Sequence, residues 1–260
     1  PRTMSPAASA EGVHHLKVSM NTPHIVKAFD LELTTLKTNI GAMGAFAGSQ
    51  FTDAVQALLH GDLVLARRVI EQDQQVDALR RDLSTSAAMV IAKRQPLAGD
   101  LDEVLADFRI VEDLERIGDL AKNIAKRAIA IAGTQFPEDL VQGLEQLSEL
   151  ASQQLSNALK TFLARDAEQA MVVRQQDEAI DELHTVVFRD LVSRMGADPS
   201  QVIGFVHLLF CAKNIERIGD HATHIAEAAY VTATGHRPEA ERRRLDQSSS
   251  LKSAQPEQEG

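Results

Sequence analysis

The phrase Asn214-Ile215-Glu216-Arg217-Ile218-Gly219-Asp220 occurs almost letter for letter a second time, as Asp113-Leu114-Glu115-Arg116-Ile117-Gly118-Asp119. The two Glu-x-x-x-Asp segments lie 101 residues apart (216 − 115), a domain-sized offset of the kind an internal duplication leaves behind. Apolar residues recur around each copy at spacings of three and four: Ile110, Leu114, Ile117, Ala121 and Ile124 in one, Cys211, Ile215, Ile218, Ala222 and Ile225 in the other. That period marks amphipathic helices, so the duplicated phrase sits on a helix in both places.

Further from the phrase the same stripes continue. Phe29, Leu33, Leu36, Ile40 and Met43 correspond to Leu140, Leu144, Leu147, Ala151 and Leu155. Leu65, Val69, Val76, Leu79, Leu83 and Val90 correspond to Val173, Ile180, Leu183, Val187 and Leu191. After the first residues, prolines fall only at 23, 96, 137, 199, 238 and 256, and proline is barred from helix interiors. The Pro-free segments 24–95, 97–136, 138–198 and 200–237 therefore alternate long and short, and each long one breaks once, at His60-Gly61-Asp62 and at Arg165-Asp166. The result is three helices per repeat. The predicted fold is all-α, two tandem antiparallel three-helix bundles over 24–134 and 138–234. Residues 1–23 read as a disordered head, with Met20 a plausible start, and 235–260 as a polar disordered tail.

Composition agrees with helices and excludes several roles. The chain of 260 residues is 44% hydrophobic but only 4% aromatic, which leaves the core to Ala, Leu, Val and Ile. A formal net charge of −10 argues against nucleic-acid binding, which needs a basic face. The longest apolar run, Val202 to Ala212 with His207 inside it, is far short of the roughly 20 residues that a bilayer requires, so no membrane insertion is expected. The lone Cys211 lies in that run, reads as core packing and suits a reducing cytosol.

The second helices carry their own acid pairs, Asp73 with Asp77 and Asp177 with Asp181, related by a constant offset of 104. Four like-charged i,i+4 pairs each cost about 0.2–0.5 kcal/mol, which folding alone does not explain. An antiparallel hairpin brings together residues equidistant from its turn. In repeat one the Asp73/Asp77 and Glu115/Asp119 midpoints lie 22 and 20 residues from a turn near Leu97; in repeat two the separations from Asp198 are 19 and 20. At 1.5 Å per residue that is about 30 Å along each arm, so the acid pairs should meet. Four carboxylates on one patch suit a hard cation such as Mg, Mn, Ca or iron rather than a thiolate zinc site. The helical wheel places them flanking the core and facing outward, as a surface cluster. His224 extends the Glu216/Asp220 face by a turn and offers a nitrogen ligand where repeat one has Asn123. The plainer alternative is a solvated acidic face neutralised by Arg116, Arg217 and Lys122. Arg116 and Arg217 themselves either anchor neighbouring acids or bind an anion. Gly118 and Gly219, helix-interior glycines at a cost of about 1 kcal/mol each, predict close backbone approach beside the patch.

Ile91-Ala92-Lys93-Arg94-Gln95-Pro96, Leu114 to Asp119 and Ile215 to Ala222 together closely resemble the PhoU family of bacterial phosphate-signalling regulators, over about residues 24 to 234. The resemblance implies two three-helix bundles whose Glu/Asp-x-x-x-Asp motifs ligate surface clusters of iron, zinc, manganese or magnesium. That role would fall on Asp73, Asp77, Glu115, Asp119, Asp177, Asp181, Glu216 and Asp220. It further implies a cytoplasmic, commonly dimeric negative regulator at the inner membrane. Such a regulator links the phosphate ABC transporter, through its ATPase PstB, to the sensor kinase PhoR and holds the phosphate regulon off when phosphate is plentiful. Internal symmetry is imperfect: Gln175, Lys213 and His224 stand where repeat one has Glu71, Glu112 and Asn123. A carboxylate-bridged di-iron enzyme is the rival from another class. It would need Glu-x-x-His on core helices, and that spacing occurs only at Glu11/His14. Neither a nucleophile triad nor a Gly-rich phosphate loop is present, so an enzyme is not expected.

Overall fold

The computed structural model describes residues 22–96, 99–238 and 246. Most of the expected disordered head and tail, and Leu97 at the first hairpin turn, lie outside these residues. The fold is all-α: α1 (Thr22–His60), α2 (Leu63–Arg94) and α3 (Gly99–Ala130) form the first bundle. The second consists of α4 (Glu138–Ala164), α5 (Ala167–Gln175), α6 (Asp177–Ala197) and α7 (Val202–Thr234), with a short 3-10 turn over Pro199–Gln201. No strand occurs among the described residues.

Both expected breaks are present, and their chemistry is local. At the first, Gly61 takes a left-handed φ of 66° and Asp62 caps α2, accepting the N–H groups of Val64 and Leu65 at 3.0 and 2.9 Å. At the second, Asp166 caps α5 through the N–H of Gln169. A third break divides the second helix of repeat two into α5 and α6, which together fill the place of that helix in a three-helix bundle. The Val173 carbonyl accepts the N–H of Gln176 only three residues on (3.1 Å) and the side-chain amide of Gln154 (3.4 Å), which tightens the ladder into a 3-10 turn. Asp177 thereby opens α6, where the positive end of the helix dipole favours a carboxylate.

The two bundles share one continuous apolar core, because α3 packs along α7 and α1 along α4. An ion network stitches that seam at one end. Glu103 of α3 receives Lys37 of α1 and both terminal nitrogens of Arg165 (3.0 and 2.9 Å), and Arg165 also donates to the Thr232 carbonyl of α7 at 2.8 Å. Arg165 itself sits in the left-handed region (φ 54°), strain of about 1 kcal/mol that these bonds offset. One turn along α3, Asp107 is fully buried and neither carboxyl oxygen has a hydrogen-bond partner. Burial pushes its pKa up to about 7 against the pull of Lys37 and Arg165, with Glu103 adding to the rise.

The folded chain therefore holds a proton on Asp107 between about pH 4 and 7 that the unfolded chain has lost. The stability this supplies is full at acid pH and disappears as pH rises through about 7. Asp107→Asn should leave the unfolding midpoint at about pH 3.5, below the unfolded pKa, almost unchanged and raise stability at pH 8 by about 1–3 kcal/mol. Urea melts at both pH values check this, and a loss of stability at pH 8 would show that Lys37 and Arg165 stabilise the charged carboxylate more than burial penalises it.

Candidate functional site

In repeat one, Asp73 and Asp77 on α2 meet Glu115 and Asp119 on α3. Lys122, one turn beyond Asp119, joins them: its Nζ lies 2.6 Å from Asp73 Oδ2 and 2.6 Å from Asp119 Oδ1. The ammonium loses hydration there, but the two carboxylates more than compensate and hold its pKa at about 12. Glu115 Oε2 is buried without a hydrogen bond, with Arg116 Nε at a loose 3.5 Å. Partial burial, then the neighbouring Asp119, lift the Glu115 pKa; Arg116 and Arg80 oppose, and Asp77 reinforces. Glu115 thus feels both Asp119 and Asp77, and Lys122 ties Asp73 to Asp119.

Repeat two is the same seam with different fittings. Asp177 and Asp181 are 2% and 3% exposed and Glu216 is 4% exposed. Thr223 stands where repeat one has Lys122, and its hydroxyl donates to Asp177 Oδ1 at 3.0 Å. The cation comes from the other direction: Lys213 reaches Glu216 Oε1 at 2.9 Å and Asp246 Oδ2 at 2.9 Å. Glu216 Oε2 has no hydrogen bond. Burial raises the Glu216 pKa to about 7, Lys213 notwithstanding, with Asp220 and Asp246 contributing. His184, three residues after Asp181, is 1% exposed and its Nδ1 lies 3.4 Å from Asp246 Oδ1, too poorly aligned for a hydrogen bond. Burial lowers its pKa, so the ring is neutral at pH 7.

Each seam is backed by a glutamine from the first helix of its repeat. Gln154 is fully buried and donates to Thr223 Oγ1 at 2.8 Å, while Gln50 is 1% exposed with neither amide atom hydrogen-bonded. The glycines of the duplicated phrase make this packing possible. A Cβ on Gly118 would meet Val76 at 3.1 Å and Gln50 Oε1 at 3.4 Å; one on Gly219 would meet Ile180 at 2.9 Å and Gln154 Oε1 at 3.1 Å. The close approach expected of these glycines is between α3 and α2, and between α7 and α6, with the glutamine beside it. Lys122, named from the sequence among the neutralising cations, is the central one of the first seam, whereas Gln50, Gln154, His184 and Asp246 are the partners that sequence reasoning missed. Gln50 and Gln154 are 104 residues apart, the offset of the second-helix acids, and that repetition was the available signal.

Three expectations change. The acids do not face outward: Asp73, Asp177, Asp181 and Glu216 lie in the seam between paired helices, because a residue flanking the stripe of one long helix is covered by the helix beside it. His224 does not serve the Glu216/Asp220 face alone; its Nδ1 lies 3.5 Å from Asp113 Oδ1 on α3 of the other bundle. Asp246, within the expected disordered tail, is placed against Lys213 and His184. Arg116 pairs with Asp119 at 3.3 Å, whereas Arg217 and Asn123 are exposed.

The donor set fits hard divalent or trivalent ions. It is oxygen-rich, and each seam contains a buried carboxylate oxygen without a hydrogen bond among the described residues, Glu115 Oε2 and Glu216 Oε2. The occupant of the first seam is already a cation, the Lys122 ammonium.

The PhoU domain matches residues 40–128 and again 144–229, one match per repeat. The chain is 48% identical over 232 residues to a "Phosphate-specific transport system accessory protein PhoU homolog" of Rhizobium meliloti, covering 89% of this chain and 98% of the relative. A protein of the same description from Caulobacter vibrioides is 38% identical over 225 residues, covering 86% and 98%. Among solved structures, PhoU from Pseudomonas aeruginosa superposes with a TM-score of 0.77 at 32% identity, covering 80% of this chain and all of that one. The phosphate transport system regulatory protein PhoU from Streptococcus pneumoniae gives 0.74 at 25%, covering 82% and all of it. These relatives are named as accessory and regulatory proteins, and the family is not one of enzymes. With both repeats matched and the duplicated Glu-Arg-Ile-Gly-Asp phrase lying in equivalent seams, the chain belongs to the PhoU family.

Proposed function

We propose that this protein is a metal-binding regulator of phosphate uptake that acts by docking rather than by catalysis. It couples the phosphate ABC transporter, through the ATPase PstB, to the sensor kinase PhoR, and represses the phosphate regulon when phosphate is plentiful. Family membership supplies the transport context. The observation that carries the metal reading is the pair of buried, like-charged seams, each with an unsatisfied carboxylate oxygen beside a resident lysine. The protein works in the cytoplasm, at the inner membrane by way of its partners, and as a homodimer. Among the described residues no helix is long and apolar enough to cross a membrane.

Asp73, Asp77, Glu115 and Asp119 hold iron, zinc, manganese or magnesium in the first seam, and Asp177, Asp181, Glu216 and Asp220 in the second. When bound, the ion supplies the positive charge that the packed carboxylates lack. In the first seam Lys122 competes with it directly. Lys122→Met should therefore tighten Mn²⁺ binding by about tenfold, while Asp73→Asn with Glu115→Gln should abolish it there and spare the second seam. Calorimetric titration of chelator-stripped protein distinguishes the two sites. Equal binding by wild type and both variants would leave the seams as lysine-neutralised structural elements of a metal-free helical adaptor.

The regulatory reading has its own readouts. Deleting the gene should switch on phosphate-starvation genes in phosphate-rich medium, provided the transporter and PhoR are present. Purified PstB and the cytoplasmic part of PhoR should each be retained by the wild-type protein and less by Glu216→Gln/Asp220→Asn. Retention unaffected by those substitutions would confine the seams to a structural role, and no retention by the wild type would remove the docking mechanism.

A further inference from the structure

We propose that Asp113, His221 and His224 form a second kind of metal site, one for a single borderline divalent ion such as Zn²⁺, placed at the junction of the two bundles. His221 and His224 are three apart on α7 and so share a face of that helix, while Asp113 projects from α3 opposite them. His221 Nδ1 lies 2.7 Å from Asp113 Oδ1 and His224 Nδ1 lies 3.5 Å from the same oxygen. One ligand atom from each of the three lies within 4.8 Å of the other two. A tetrahedral ion with bonds of about 2.0–2.1 Å holds its ligand atoms about 3.3 Å apart. The trio straddles that separation, so small side-chain rotations suffice to admit an ion.

The chemistry separates this site from the acidic seams. Two imidazoles and one carboxylate are the donor set of open zinc sites, with a fourth position left to water or to a ligand from a partner. Oxygen-only clusters favour Mg²⁺, Ca²⁺ or Mn²⁺, whereas imidazole shifts preference towards Zn²⁺ and its neighbours. Access exists as well. Asp113 and His224 line an open groove of about 580 Å³ whose walls include Phe108, Arg109, Glu112 and Glu227, and the His224 side chain is 44% exposed. Glu112 and Glu227 are engaged by Arg80 and Arg174 at 3.2 and 2.7 Å, which leaves Asp113 as the carboxylate facing the histidines.

The duplication argues that the trio is not a by-product of the seams. The repeat counterparts of Asp113, His221 and His224 are Asn214, Leu120 and Asn123. Nothing equivalent exists on the other side of the pseudo-symmetry. An ion held here would bond to both bundles at once, fixing α3 against α7, and this inference stands whether or not the seams bind metal.

The test uses full-length protein stripped with a chelator, then held in excess Mg²⁺ so that oxygen-only sites are saturated. Zn²⁺ titration should find one equivalent bound per chain, and Co²⁺ at the same site should give the strong visible bands of four- or five-coordination with nitrogen ligands. His224→Asn, a mild change at a half-exposed position, and Asp113→Asn should each weaken Zn²⁺ by at least about tenfold and remove the Co²⁺ bands, with circular dichroism confirming the helices. Asp73→Asn/Glu115→Gln should leave both signals in place. Failure of Zn²⁺ and Co²⁺ to bind in excess Mg²⁺, or binding indifferent to both His224→Asn and Asp113→Asn, would reduce the trio to a hydrogen-bonded latch and overturn the proposal.

Discussion

The burial of like charge between paired helices is the constraint on which this structure turns. A carboxylate moved from water into a helix seam costs several kcal/mol unless something positive or hydrogen-bonding meets it. Each repeat brings four to its seam, of which Asp73 in the first and Asp177, Asp181 and Glu216 in the second are buried. In the first seam Lys122 is shared by Asp73 and Asp119; in the second Lys213 and Thr223 divide the work differently, with Lys213 also claimed by the tail's Asp246. Neither arrangement closes the account, since Glu115 Oε2 and Glu216 Oε2 remain without hydrogen bonds. A core of Ala, Leu, Val and Ile running through both bundles holds this unfavourable arrangement together. Stability resides in the stripes, and the seams spend part of it.

Much of this was legible from residues alone, for identifiable reasons. Helix number and direction followed from proline positions and apolar period, because proline exclusion and the burial of an amphipathic face act locally. The meeting of Asp73 and Asp77 with Glu115 and Asp119 followed from hairpin arithmetic. Facing direction did not, because the wheel of one helix omits the cover given by its neighbour. The break at Gln176 was hidden for a related reason: the Gln154 amide that engages the Val173 carbonyl comes from another helix, and no proline or glycine marks the spot. His224 was placed on the correct helix, yet its partner across the bundle junction could not be read from a single helical wheel. Asp246 lies in a segment whose composition argues for disorder, and a lone ion pair leaves no compositional trace.

The duplication also shows which features the two halves had to keep. The glycine, the glutamine behind it and the branched side chain before it recur as Gly118, Gln50 and Val76 and as Gly219, Gln154 and Ile180. These set how close the helices come. The cation was free to move: lysine from the third helix in one repeat became threonine in the other, and a new lysine appeared nearly three turns earlier at 213 where repeat one has Glu112. Backbone spacing in the seam is therefore the conserved element between halves, and charge compensation the variable one.

That division bears on how such a protein signals. Apart from the short α5 its helices run 21 to 39 residues, and its bundles share a core, so the seams offer no obvious hinge. They offer a change of charge. Asp73, Asp77, Glu115 and Asp119 with Lys122 sum to −3 when the acids are ionised, and the ammonium lies only 21% exposed between two of them. A divalent ion taking that position would raise the seam's own charge by one relative to lysine and would displace the ammonium towards solvent. On the proposed metal-binding reading, seam occupancy would be converted into surface potential beside a fixed helix face, at Coulombic energies of a few kcal/mol at short range. A partner that reads this face would respond to charge and not to shape, and its affinity should fall as ionic strength rises, because exposed charges are screened over about 10 Å at 0.1 M salt.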